Sequence, residues 1–124
     1  MPLSTLADAP VFERPGFVFR PLAAPSRGSA ELAIWTLEVA PGATSDTHEL
    51  DREEVFVVRS GHLTVTVGTE EHTAGPGDAV IVPAHTRLSV RNASPDSPAT
   101  ATAVTSVGVR AGMDGASFEP PWAL

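Results

Sequence analysis

The chain contains no cysteine. That excludes disulfides, thiolate metal sites and cysteine nucleophiles. It also lacks a basic run, and its formal net charge is −7. Phosphate backbones need neutralising Lys or Arg, so nucleic acid is not an expected partner. No apolar stretch approaches the roughly 20 residues of a membrane helix, so no membrane partner is expected. The first residues, MPLSTLADAP, show no basic segment followed by an apolar one and do not read as a secretory signal, which makes the cytoplasm the expected location. There is neither a Gly-rich phosphate loop nor a Gly-x-Ser-x-Gly elbow, so nucleotide binding and serine hydrolysis have no support. No internal repeat is visible.

What the sequence does have is dense punctuation. Twelve Pro and ten Gly break 124 residues into short apolar stretches, a pattern that disfavours long helices and suits an all-β sandwich or barrel. Strands are expected at 17–19, 32–39, 54–59, 62–67, 79–82, 87–91 and 102–109, many of them rich in β-branched residues that fit a pleated surface. Turns fall at Pro41-Gly42, Ser60-Gly61, Gly75-Pro76-Gly77-Asp78 and Ser94-Pro95-Asp96. The length suits a single domain over 1–124, with a core at about 30–110, an N-terminal arm and a Pro-rich tail. Trp122 follows Pro120-Pro121 in that tail; docking against the barrel or a partner subunit is expected of so large an apolar side chain.

Two segments carry more specific information. In GATSDTHELDREEVFVVRSG, Gly42, His48, Glu54 and Gly61 stand at the spacings of the first signature motif of the cupin superfamily, but Leu50 replaces its second His. In GDAVIVPAHTRLSVRN, Gly77, Pro83 and Asn92 match the second motif, with His85 in place of its Gly and Leu88 in place of its ligand His. The chain thus resembles small single-domain bacterial cupins. The resemblance implies a cupin-type double-stranded β-helix, or jelly-roll barrel, with one open mouth. Family sites commonly hold a divalent metal through three imidazoles and one carboxylate, a donor set suited to iron, manganese, nickel, copper or zinc. Leucine has no lone pair to donate, so two of the four ligands are missing. No cofactor is expected on this reading. A divalent transition metal remains the alternative, with His48, Glu54 and His85 as a two-His, one-carboxylate set. His85 is otherwise an exposed turn residue.

Without a metal, His48 and Glu54 are the candidate catalytic pair, since the family's ligands converge on one point. They are either an acid/base dyad or a relic whose members satisfy each other's hydrogen bonds. Period-two alternation puts Leu50 on the same face as His48, Phe56 on the face of Glu54, and Leu88 with Asn92. Together with Trp35, the side chains of Leu50, Phe56 and Leu88 are the candidate ligand-binding wall. Trp35 and Phe56 read equally as core. Asn92 is expected to make structural hydrogen bonds. The resulting expectation is a cupin that binds a small, largely apolar organic molecule and moves protons on it, as an isomerase, cyclase or lyase. Two alternatives stand beside it: a metal-dependent oxygenase or isomerase, and a non-catalytic binding or sensing module. The resemblance also implies a homodimer, with the segment 12–19 as the contact.

Overall fold

The computed structural model describes residues 2–124. Twelve strands run in chain order: β1 Phe12–Arg14, β2 Phe17–Ala23, β3 Leu32–Val39, β4 Glu49–Leu50, β5 Glu54–Ser60, β6 Leu63–Val67, β7 Glu70–Ala74, β8 Ala79–Val82, β9 Leu88–Arg91, β10 Ala99–Ser106, β11 Ala111–Met113 and β12 Ala116–Phe118. Three single-turn 3-10 segments are the only helical elements among the described residues. No helix is long and apolar enough to cross a membrane.

The strands form two layers, all pairs antiparallel. One is a six-stranded sheet in the order β1-β2-β3-β10-β5-β8. The other comprises two three-stranded sheets, β12-β11-β4 and β7-β6-β9, tied together by bridges Thr44↔Arg91 and His48↔Leu88. Inward residues of both layers merge into one apolar core, with Trp35, Leu37, Phe56 and Val58 from the large sheet and Leu63, Val65, Leu88 and Val90 from the other. The alternation is clean on β3, β5 and β10, where every second residue is buried. That period is the physical reason a sequence of short β-branched runs settles into this fold.

Gly61 illustrates how tightly a turn can be specified. It has φ +68, and a Cβ there would stand 2.6 Å from the Pro98 carbonyl oxygen, so no other residue fits. Asn92 does the expected structural work. Its Nδ2 donates to the carbonyls of Val39 (3.2 Å) and Ser97 (2.7 Å), and its Oδ1 accepts from the Ser94 amide (3.0 Å).

The strand boundaries expected from sequence agree closely for β3 and β8. The last long strand instead begins at Ala99, three residues early, because Ala99 and Ala101 are small enough to pack in the core while reading weakly as strand residues. The edge strands β1, β7 and β12 and the central strand β11 of the small sheet were not legible: all are short, and apart from β11 they are mostly exposed, so they have little apolar alternation to read. The tail docks on its own barrel. Trp122 stacks on Phe19 (ring centroids 3.8 Å, interplanar angle 8°), meets Trp35 and Phe12 edge-on, and lies under the Arg14 guanidinium. The Ser26 amide reaches the Leu124 carbonyl beyond it.

Candidate functional site

β5 positions Glu54. Alternation turns Glu54, Phe56 and Val58 inward, and Glu54 pairs with Val82 of β8. The carboxyl is therefore enclosed, with 3% exposure, and its Oε1 has no hydrogen-bond partner. Burial in an apolar surround penalises the charged form and raises the Glu54 pKa to about 8. At neutral pH this side chain is a carboxylic acid, able to donate a proton rather than to attract a cation.

His48 bridges Leu88 through backbone hydrogen bonds, and it is half-buried. Nδ1 lies 2.9 Å from the Asp46 carbonyl. A carbonyl can only accept, so Nδ1 is the donor, which leaves Nε2 facing away from this bond. The ring lines an open cleft of about 380 Å³, shared with Thr47, Glu49, Arg87 and the β11–β12 hairpin around Asp114. No ion pair or hydrogen bond joins His48 to Glu54 among the described residues. Glu54 is buried, and His48 lines the open cleft. Leu50 and Leu88 are buried at 5% and 1% exposure.

The four residues expected to form a ligand-binding wall are packed into the core. Trp35, Leu50, Phe56 and Leu88 belong to one continuous core cluster. His85 is exposed and its backbone adopts φ +59, the left-handed region in which Gly is at ease, with its amide donating to the Leu50 carbonyl at 2.7 Å. Arg87 and the hairpin of β11 and β12 were missed as site neighbours. Arg87 is one of eight arginines with no motif around it, and nothing local tells that the hairpin folds back over β4.

The fit of a metal can be tested on these residues. Among the described residues no three His, Asp or Glu side chains group closely enough to hold an ion. The inward neighbours of Glu54 along β5, Phe56 and Val58, are hydrocarbon. The donor set present does not fit the divalent metal that the fold family commonly holds.

Residues 35–105 match a family model described as a cupin domain. The chain belongs to the cupin family. No curated protein matches the sequence. Among solved structures, the polyketide cyclase RemF from Streptomyces resistomycificus is similar with a TM-score of 0.74 and 18% identity, over 86% of this chain and 79% of that one. A cupin-superfamily sugar phosphate isomerase from Silicibacter pomeroyi gives 0.73 and 21%, over 93% and 83% of the two chains. A third, the TT1209 protein from Thermus thermophilus, gives 0.69 and 26%, over 86% and 97%.

Proposed function

We propose that this cupin binds a small, largely apolar organic molecule and catalyses proton transfer on it, with Glu54 as the acid. The observation that carries the reading is the Glu54 carboxyl, enclosed in hydrocarbon with Oε1 unpartnered. Leaving a buried polar group unsatisfied costs roughly 1–3 kcal/mol, and a leucine would fit the same face without that cost. A buried carboxylic acid aimed into an apolar interior is a device for donating a proton at neutral pH. The similarity to a cyclase and to an isomerase supports chemistry of this kind, in which no electrons are exchanged.

In this reading the substrate enters past the His48 cleft and displaces the contacts among Leu50, Phe56 and Leu88. The Glu54 O–H gives its proton to a substrate carbonyl oxygen. The His48 Nε2 accepts one from the carbon α to that carbonyl; the electron pair of the broken C–H bond forms the new C=C bond, and the C=O π pair moves to the oxygen as its new O–H bond. The product is a tautomer, and exchange with solvent returns both side chains to their starting states.

A second reading, a binding module without turnover, is favoured by one observation: no hydrogen bond or ion pair joins His48 to Glu54 among the described residues. The two are separated by incubating the protein in D2O with enolisable aromatic ketones and following α-carbon exchange by NMR. Proton transfer predicts accelerated exchange that falls about 10²–10⁴-fold in Glu54→Gln. Exchange equal in the two proteins contradicts it, and a thermal shift with no exchange supports the binding module.

A further inference from the structure

The cleft beside His48 gathers charges that the protein leaves unpaired. Arg87 lines it from just before β9, Glu49 from β4, and Asp114 from the tip of the β11–β12 hairpin. None of the three forms an ion pair among the described residues. One guanidinium and two carboxylates thus share a cleft without pairing.

Exposed charges are ordinary on a surface, and Gly112 is what sets this cleft apart. It is the middle residue of β11, paired with Glu49 of β4 and Ser117 of β12. Its φ lies outside the left-handed region, and a Cβ there would meet nothing nearer than Glu49 Cγ at 3.7 Å. The backbone therefore does not require glycine at this position. A glycine inside a strand weakens it and often marks the close approach of a ligand. Here the missing side chain keeps its part of the 380 Å³ cleft open.

We propose that this cleft binds a small zwitterion, a molecule with one carboxylate and one ammonium, such as a free amino acid. Arg87 takes the carboxylate, because a guanidinium fork matches two carboxylate oxygens. Glu49 and Asp114 take the ammonium, whose three N–H donors can serve both. The charge balance selects this class. A simple anion would gain Arg87 but face two carboxylates on a chain of net charge −7. A simple cation would gain the carboxylates but be repelled by Arg87. A bare metal ion is not favoured, since His48, Glu49 and Asp114 do not group closely enough to hold one. The inference stands on the outer residues of the cleft and not on proton transfer by Glu54, so either can fail without the other. Arg87 and Asp114 are exposed, so water and salt screen both contacts. A Kd of roughly millimolar order is expected, rising with ionic strength.

Amide chemical shifts of the nitrogen-15-labelled protein test the proposal, in titrations with glycine and with β-alanine, whose charges are spaced differently. At least one of the two should shift the Gly112, Asp114 and Gly115 amides saturably. Acetate and methylammonium should each bind roughly three- to tenfold more weakly than the better zwitterion. Arg87→Gln and Glu49→Gln should each weaken binding by a similar factor. Gly112→Leu, which fills the cleft, should abolish the shifts. All three variants should keep the circular dichroism spectrum of the unmodified protein. The absence of a saturable shift with either zwitterion at about 100 mM would overturn the proposal. So would acetate or methylammonium binding as tightly as the zwitterion, or binding that survives any of the three variants undiminished.

Discussion

His48 and Leu88 face each other across the two bridged strands and exchange both backbone hydrogen bonds, at 2.9 and 2.7 Å. Directly opposed residues of an antiparallel pair project to the same side of the sheet, with Cα atoms about 5.5 Å apart. An imidazole is thus matched with a hydrocarbon side chain where the family pattern would set a second imidazole.

That pairing predicts that the metal site can be rebuilt. Leu50→His together with Leu88→His places two imidazoles beside His48 without moving the backbone. The double variant should gain affinity for nickel or zinc in calorimetric titration. Without metal it should be less stable than the unmodified protein, by roughly 1–3 kcal/mol for each unsatisfied ring, and adding metal should recover the loss. No gain in affinity would show that the strands do not hold these positions in ligating register.

Glu54 makes stability depend on pH. Below pH 4.5 the native and unfolded chains both hold its proton. Between 4.5 and about 8 the unfolded chain releases it while the native barrel retains it. Rising pH therefore favours unfolding across that window, by about 1.4 kcal/mol per pH unit from this group. Glu54→Gln should remove this slope in urea denaturation series. An equal slope in the variant would mean that Glu54 is ionised in the folded protein.

The docked tail makes a separate prediction. Trp122→Ala removes the stack on Phe19 and the edge contact with Trp35. Large aromatic-to-alanine changes cost about 3–5 kcal/mol in full cores. Trp122 is only partly buried, so a loss of about 2 kcal/mol is expected, together with weaker near-ultraviolet dichroism. An unchanged denaturation midpoint would show that the tail does not hold the barrel.

Most of the fold was legible in the sequence because its central strands alternate cleanly and its turns carry Gly and Pro at fixed places. Gly61 and Asn92 each have a local job that their residue type announces. The site was less legible. Spacing brings His48 and Glu54 to matching motif positions, but it does not show that no hydrogen bond or ion pair joins them, or that Leu50 and Leu88 pack into the core. Both depend on packing across strands distant in sequence. The β11–β12 hairpin and Arg87 were invisible for the same reason: their place beside His48 comes from long-range pairing of β11 with β4, which no short window contains.

The protonation state of Glu54 is the point on which the functional reading turns, and it is directly measurable. Carbon-13 NMR of the Glu54 side-chain carboxyl, assigned by comparison with Glu54→Gln, follows its titration in the folded protein. The account predicts a midpoint near 8, so that the group is a carboxylic acid at neutral pH. A midpoint near the ordinary 4.5 would make Glu54 a carboxylate under working conditions and contradict its role as the proton donor.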